Sequence, residues 1–308
     1  MDRSPLDVAT LRRALLAPAG PLGRLDVVGA SPSTNTALVD AARRDPEAWP
    51  APALLVAEHQ VAGRGRAGRS WETPPRAALT ASVLLRPDVP AGALGWLPLL
   101  AGVAVVRALD PLLGPVGVEA CLKWPNDVLL PAAGAVPGFG AYRKVAGILA
   151  EVVPHVPRAT APDGSPAVRP SVVVGVGLNV SQAAAELPVP TATSLALAGG
   201  ARAGQTGDDR TALLAALVGE LVAAVGRLEA AGGDAAAAGL AGEYAARSAT
   251  LGTRVRAELA GGSGVVEGEA VRVACDGSLV VAAPGGERVV TAGDVHHLRA
   301  TGSQPPPR

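Results

Sequence analysis

Residues 63–71, GRGRAGRSW, place three glycines and three arginines within seven consecutive positions and end in Trp71. Glycine lets backbone N–H groups approach an anion closely, and arginine supplies permanently charged donors for phosphate or carboxylate. A large aromatic side chain after a polar loop favours closure over a ligand. The stretch matches neither a Walker loop nor a Rossmann fingerprint. It predicts another type of anion-binding loop, with a solvated basic turn as the alternative.

A second polar stretch, LKWPNDVLL at residues 122–130, brackets a Trp-Pro turn with Lys123 and Asp127. A lysine ammonium suits a phosphate, and a nearby aspartate suits Mg²⁺ or the orientation of a donor. The stretch therefore indicates a phosphate or metal site, and a surface turn with an incidental ion pair is the alternative.

Two further stretches adjoin buried strands. RKVAGILAEV at residues 143–152 has Lys144 before an apolar run, and such a lysine more often extends to water than binds a ligand. VVVGVGLNV at residues 172–180 ends in a GxGxN pattern, which is only a fragment of the dinucleotide motif. Each stretch alone is weak, so their order along the chain carries the interpretation.

The periodicity around these stretches predicts a mixed α/β chain. Helices are expected at residues 6–16, from the Ser33-Thr34-Asn35 cap to Arg43, and at 96–109 and 211–228. Strands are expected at residues 25–28, 54–57, 79–85, 128–130, 145–153 and 171–177. The Pro/Gly-rich segments 131–142 and 154–170 are expected to be long surface loops.

The texture of the sequence changes near residue 251. Short strands at 254–259, 264–273, 279–282 and 288–291 alternate with Gly-Gly and Asp-Gly turns, which predicts a small all-β barrel. We therefore expect a lead-in helix in residues 1–24, a catalytic domain in 25–250, the barrel in 251–300 and a disordered tail in 301–308.

The composition excludes several classes of protein. With 27 basic and 27 acidic residues the net charge is zero, which gives no general attraction to nucleic acid or to an anionic membrane. An uncharged, proline-free apolar run of about 20 residues is lacking, so no membrane span is expected. Asp2 and Asp7 argue against a signal peptide, and the isolated Cys121 and Cys275 fit free thiols in the cytoplasm.

From about Leu25 onward, the Ser/Thr/Asn cluster and the four stretches resemble the biotin protein ligase family in order and content. The GRGRxGRxW and KWPND segments are quite specific to that family, whereas the glycine patterns are not. The resemblance implies an α+β (mixed α/β) catalytic domain, with a mixed sheet packed by helices, and a small C-terminal SH3-like β-barrel. The short N-terminus resembles members without a DNA-binding domain, because such a module needs about 50 to 60 residues.

The resemblance also implies roles for individual residues. Lys144 is the principal catalytic group, with Arg66 and Lys123 beside the reacting atoms. The implied biotin-binding residues are Ser33, Thr34, Asn35, Gln60, Gly63, Arg64, Gly65, Arg66, Lys144 and Gly147. The implied nucleotide-binding residues are Arg69, Trp71, Lys123, Asn126, Asp127, Asn179 and Arg299, and Asp127 is also the implied Mg²⁺ ligand. The four histidines receive no role, and His296-His297 is expected to be a strand end.

The implied activity is ATP- and Mg²⁺-dependent formation of biotinyl-5′-AMP, followed by transfer of biotin to a lysine of an apo biotin carboxyl carrier domain of acyl-CoA or pyruvate carboxylases. The expected enzyme is a cytoplasmic monomer or weak homodimer that binds no DNA and no membrane. Three alternatives remain: a lipoate or octanoate ligase on the related fold, a regulator that binds biotin or its adenylate without catalysis, and a nucleic-acid binder using the arginines.

Overall fold

The computed structural model describes residues 3–136, 140–153, 170–203, 210–259, 264–291 and 293–297. In these ranges the strands are β1 (Arg24–Val28), β2 (Ala53–Ala57), β3 (Gly63–Arg64), β4 (Ser70–Trp71), β5 (Ala78–Leu85), β6 (Cys121–Lys123), β7 (Asp127–Val136), β8 (Gly140–Val153), β9 (Ser171–Asn179), β10 (Arg254–Leu259), β11 (Val265–Val273), β12 (Leu279–Ala283), β13 (Gly286–Val290) and β14 (Gly293–His297). The helices are α1 (Val8–Leu15), α2 (Thr34–Arg44), α3 (Leu97–Leu113), α4 (Leu195–Ala203), α5 (Arg210–Ala230) and α6 (Leu240–Ala246).

The larger sheet has seven strands in the order β1-β2-β5-β9-β8-β7-β6. Only the β1–β2 pair is parallel among these neighbours, and the others are antiparallel, so the predicted mixed sheet is confirmed. Helix α3 packs against α5 and against β8 on one face, and α2 packs on the other against β5, β8 and β9. Helix thus covers both faces of the sheet.

The strand β9 shows how its sequence divides the two faces. Side chains alternate along a strand, and Val172, Val174 and Val176 join the larger core under α3 and α5. Val173 points to the α2 side, where Gly175 and Gly177 follow it at alternate positions. The two glycines therefore remove side chains from one face only, and that face borders the cleft described below.

Two segments, Ala91–Val116 and Arg210–Ala230, are long and apolar enough to cross a membrane by length and composition. Here they contain α3 and α5, which pack against each other and supply many of the buried leucines and valines of the main core. Burial within the protein accounts for their apolar character.

The smaller sheet has five antiparallel strands in the order β13-β12-β11-β10-β14, which confirms the expected all-β C-terminal unit. The strand β14 was not predicted; it places His296 and His297 at a strand end, as expected. Two indoles donate hydrogen bonds to the segment between β11 and β12 of this sheet. Trp96 Nε1 donates to the Cys275 carbonyl at 3.0 Å, and Trp124 Nε1 donates to the Gly277 carbonyl at 3.0 Å.

The expected surface loop at residues 131–142 is wrong. In its described part, β7 extends to Val136 and β8 begins at Gly140, and Pro131 pairs with Tyr142 and Val136 with Gly140. Proline is tolerated there because β6 ends opposite Leu129, so that beyond this point one edge of β7 has no neighbour in the described chain. Residues 154–169 of the second expected loop, Arg299 and the expected tail at 301–308 all lie outside the described residues.

Candidate active site

A cleft opens at the N-terminal end of α2, over the glycine face of β9. It gathers residues that are far apart in the sequence, including most of those predicted to bind a ligand: Ser33, Thr34, Asn35, Gln60, Arg64, Gly65, Arg66, Arg69, Trp71, Asn126, Lys144 and Gly147. Sequence reasoning left out seven further lining residues: Ser70, Ala81, Ile148, Leu149, Gly175, Val176 and Gly177. The glycines among these had their signal in the GxGxN pattern.

The GRGRAGRSW stretch forms a short hairpin that covers one side of the cleft. Its two-residue strands β3 and β4 pair Gly63 with Trp71, and a tight turn joins them, with the Gly65 N–H donating to the Arg69 carbonyl at 2.6 Å. Ala67 adopts the left-handed conformation at φ 53°, which is costly for a residue with a Cβ. The arginines thus project from a folded hairpin rather than from an irregular loop.

Gly63 has no freedom to carry a side chain. A Cβ at this position would lie 2.3 Å from the Trp71 carbonyl oxygen and 2.8 Å from Gln60 Nε2. Gly63 is therefore required for the close approach of β3 to β4, while its contribution to biotin binding remains a prediction.

A bulge in β8 turns Lys144 toward the cleft. The pairing with β7 shifts register here, since Val128 pairs with Ala146 but Leu129 pairs with Lys144. In a regular strand, residues three apart point to opposite faces, but a Cβ on Gly147 would lie 2.9 Å from Lys144 Nζ. The bulge therefore brings Lys144 and Gly147 to one face, as bulges beside active sites commonly do.

The ammonium of Lys144 lies close to two other side chains. Its Nζ lies 2.6 Å from Asp127 Oδ1, and it lies 5.7 Å from the centre of the Trp71 ring. The lysine side chain is 26% exposed, whereas that of Asp127 is 12% exposed. The cation is accordingly fixed by a more deeply buried carboxylate while one side of it stays open to a ligand.

Trp71 lies flat against glycines of the sheet. A Cβ on Gly177 would lie 2.4 Å from Trp71 Cε2, and one on Gly147 would lie 3.3 Å from Cζ3. The indole Nε1 is buried and has no hydrogen-bond partner in the described structure. Trp71 therefore offers an unused donor inside the cleft.

The predicted N-cap of α2 is confirmed, because Ser33 Oγ accepts a hydrogen bond from the Thr36 N–H. Thr34 donates both its N–H and its hydroxyl to Gln60 Oε1, at 2.7 and 3.0 Å. Ser82 Oγ lies 2.8 Å from Thr34 Oγ1 and donates to Asn35 Oδ1 at 2.6 Å. These side chains form a buried polar network that joins α2, β5 and the segment before the hairpin.

Three of the described residues predicted to bind the nucleotide, Lys123, Asp127 and Asn179, are not among those that line the cleft. Lys123 is 8% exposed and lies opposite Asp127 in the β6–β7 hairpin. Asn179 is buried, donating to the Thr193 carbonyl at 2.9 Å and accepting from Gln182 at 2.7 Å. Since the Thr193 N–H in turn donates to the Lys144 carbonyl, Asn179 supports the strand that carries the lysine.

Asn126 is a predicted nucleotide contact that lines the cleft, as Arg69 and Trp71 do. Its side-chain amide donates to the Ile148 carbonyl at 2.9 Å, and the Ile148 N–H donates back to the Asn126 carbonyl at 2.9 Å. These two bonds fix the start of β7 to β8, and so set the position of Asp127 beside Lys144.

Two side chains, Tyr244 and Cys121, are poor candidates for acid–base chemistry. Burial and the charge of Asp127 raise the pKa of Tyr244, and burial raises the pKa of the Cys121 thiol, so both groups stay protonated near neutral pH. Among the described residues, no cluster of three or more His, Cys, Asp or Glu side chains is arranged to hold a metal ion.

The sequence matches two family models. Residues 28–161 match the biotin/lipoate A/B protein ligase family, and residues 250–298 match the biotin protein ligase C terminal domain.

Among curated relatives, the chain is 42% identical to a biotin–[acetyl-CoA-carboxylase] ligase of Mycobacterium tuberculosis over 298 residues, which are 96% of this chain and 97% of the relative. It is 34% identical to the bifunctional ligase/repressor BirA of Bacillus spizizenii over 157 residues, covering 50% of this chain and 41% of the relative. Among solved structures, it resembles a biotin protein ligase from Aquifex aeolicus in complex with biotin and ATP, with a TM-score of 0.62, 25% identity and coverage of 90% of this chain and 99% of that one. The chain belongs to the biotin protein ligase family.

Proposed function

We propose that this chain activates biotin with ATP to biotinyl-5′-AMP and then transfers biotin to a lysine of an apo biotin carboxyl carrier domain. The observation that carries the proposal is the convergence of Lys144, the arginine hairpin and the Thr34–Asn35 network on one cleft. The near full-length similarity to a biotin–[acetyl-CoA-carboxylase] ligase and to a ligase solved with biotin and ATP supports it.

In the first step, a biotin carboxylate oxygen attacks the α-phosphorus of ATP and pyrophosphate leaves. An anion then meets a polyanion, so the site must supply positive charge and in-line geometry. Lys144 is the residue we assign to the reacting carboxylate and α-phosphate, because Asp127 holds its ammonium at the cleft. Arg66 and Arg69, which line the same cleft, add charge from the hairpin. Lys123, which pairs with Asp127 in the β6–β7 hairpin, adds a further positive charge.

The product is a mixed anhydride that water would destroy, which gives the hairpin a second task. Residues 63–71 already cover one side of the cleft, and Trp71 supplies a flat apolar wall. A ligand acceptor reaching the indole Nε1 would satisfy the donor that the described structure leaves unpaired. The hairpin then excludes water while it holds the adenylate.

Magnesium fits the site when it binds together with the triphosphate of ATP. Mg²⁺ usually binds to one or two carboxylates together with substrate phosphates. Asp127, which is already paired with Lys144, is the residue that would hold the ion beside the nucleotide phosphates. When bound, Mg²⁺ neutralises phosphate charge.

In the second step, the amine of the carrier lysine attacks the acyl carbon of biotinyl-5′-AMP and AMP leaves with its electron pair. The chain forms no covalent intermediate in this scheme, so it needs no serine or cysteine nucleophile. Within the proposal we place catalysis in residues 25–250 and regard residues 251–300 as a barrel that supports the site, in a cytoplasmic enzyme that acts as a monomer or weak homodimer.

Pyrophosphate release tests the proposal against its enzyme alternative. The chain is mixed with Mg-ATP and with biotin, lipoate, octanoate or no acid, and release is followed over time. Biotin-dependent release is expected. Release with lipoate or octanoate but none with biotin would contradict the proposal, and release with none of the three would favour a regulator that only binds its ligand.

A further inference from the structure

The carboxylate of Glu151 joins two parts of the cleft that the sequence keeps far apart. Its Oε2 accepts from Asn35 Nδ2 at 3.0 Å, and its Oε1 lies 3.2 Å from Arg64 Nη1. Asn35 belongs to α2 in the cleft wall, and Arg64 belongs to the strand β3 of the hairpin. One side chain therefore connects the wall to the element that covers it.

The contacts of Asn35 fix which way its amide faces. Its oxygen accepts from Ser82 Oγ at 2.6 Å, while its Nδ2 donates to the Leu149 carbonyl at 2.9 Å and to Glu151. Both N–H bonds are thus used inside the protein, and a flipped amide would set its oxygen against two acceptors, the Leu149 carbonyl and the Glu151 carboxylate. The oxygen packs against Gly175, where a Cβ would lie 2.1 Å from it, and Asn35 lines the cleft.

The contacts of Arg64 tie the hairpin to the same place. Its Nη1 donates to Thr36 Oγ1 at 3.1 Å on the first turn of α2, besides pairing with Glu151. The Arg64 side chain is 53% exposed, so its ion pair is screened by salt, whereas the Glu151 side chain is only 25% exposed. The contact that Arg64 makes for the hairpin is therefore weakened by salt, while its partner Glu151 is held in the cleft wall by Asn35.

We propose that Glu151 is a positioning residue of the ligase site, orienting Asn35 toward the ligand and holding the hairpin closed through Arg64. This role rests on the proposed function. Because the two carboxylate oxygens serve different partners, a neutral amide of the same shape cannot replace them. In Glu151→Gln, whichever way the amide turns, its NH₂ group faces one of two donors and repels it.

The test compares wild type with Glu151→Gln, Arg64→Gln and the double variant. Biotin affinity is measured by calorimetry, and the half-life of bound adenylate by quenched chase. For Glu151→Gln we expect biotin affinity to fall about threefold to tenfold and adenylate loss to rise by a similar factor, the size of losing one charged hydrogen bond and one partly exposed ion pair. Arg64→Gln should speed adenylate loss with less effect on affinity, and the double variant should be less than additive.

Salt dependence and a matched control separate this role from a general structural one. Adenylate loss should rise with salt in both proteins, but less steeply from Glu151→Gln than from wild type, because the screened Arg64–Glu151 ion pair is already gone. The control is Glu267→Gln, which removes an ion pair with Arg256 of 2.8 Å on the smaller sheet and should change neither quantity.

The outcomes distinguish the two proposals. If wild type forms adenylate and Glu151→Gln matches it in affinity and half-life, the role of Glu151 is overturned while the ligase function stands. Full additivity with Arg64→Gln would overturn the link to the hairpin. If Glu151→Gln fails to fold, Arg64→Gln with an unaltered half-life overturns that link. A wild-type chain that binds no biotin would overturn the ligase function and this role together.

Discussion

Lys144 Nζ lies 2.6 Å from Asp127 Oδ1, although the two residues belong to different strands. The contact depends on the bulge that shifts the pairing of β7 and β8 between Val128 and Leu129. A reactive cation held by a buried carboxylate is preorganised, so little reorganisation is needed when a substrate anion arrives.

Removing the charge of Lys144 should abolish activation of biotin. In Lys144→Ala we expect biotin-dependent pyrophosphate release to fall by about a hundredfold to a thousandfold, the usual loss for one preorganised group at a transition state. The fold should persist, since the side chain is partly exposed and lies outside the core. Urea unfolding followed by circular dichroism serves as the control, and turnover close to wild type in a folded variant would remove the catalytic assignment.

Asp127→Asn separates positioning of the lysine from metal binding. If Asp127 both orients Lys144 and holds Mg²⁺, the variant should turn over about tenfold or more slowly and need more Mg²⁺ for half-maximal rate, because one carboxylate ligand is lost. The measurement is a Mg²⁺ titration at saturating biotin and ATP. A slower variant with an unchanged Mg²⁺ midpoint would exclude the metal role and leave the positioning role intact.

Arginines of the hairpin should control retention of the adenylate. In Arg66→Ala or Arg69→Ala we expect biotinyl-5′-AMP to escape or hydrolyse about tenfold faster, because each loses a charge-assisted contact to the phosphate. Free AMP and biotin released without a carrier are the measured products. Arg13→Ala on α1, where the guanidinium donates to Thr10 Oγ1 at 2.8 Å, is the matched control, and leakage equal to that control would refute the covering role.

The glycine face of β9 should be intolerant of a methyl group beneath Trp71. A Cβ in Gly177→Ala would meet the indole at 2.4 Å, so the ring must shift and the hairpin with it. We expect weaker ATP binding and faster adenylate loss with a modest fall in stability, measured by calorimetry and thermal unfolding. Gly219→Ala in α5, where nothing lies within 4 Å, should leave both unchanged and slightly stabilise the helix. Equal behaviour of the two variants would contradict the assigned packing.

Sequence patterns predicted the elements whose periodicity is strong. The helix at Arg210–Ala230 and the strands at Arg254–Leu259 and Ser171–Asn179 lie within a few residues of their expected bounds. The expected loop at 131–142 is wrong because proline and glycine usually break strands, whereas an unpaired strand edge tolerates them. Periodicity and composition therefore predict the helices and strands, except where strand pairing with distant residues determines the structure.

The site was predictable in its residue types but not in its geometry. The charges of Arg66 and Lys144 are visible in the sequence, and the cleft gathers both. The bulge that turns Lys144, and the carboxylate of Glu151 that reaches Asn35, depend on strand register and on long-range contacts. The bulge leaves no local signal in the sequence. Glu151 leaves none either, because a glutamate at the end of an apolar strand looks like an ordinary solvent-facing residue.

Direct identification of the bound product tests the central claim. Wild-type chain is incubated with Mg-ATP and biotin, freed of small molecules, and divided, and one half receives an apo biotin carboxyl carrier domain before mass spectrometry of both. We expect biotinyl-5′-AMP bound to the chain in the untreated half, and biotin on one carrier lysine with released AMP in the other. Absence of the adenylate from the first half, with an unmodified carrier in the second, would contradict the account.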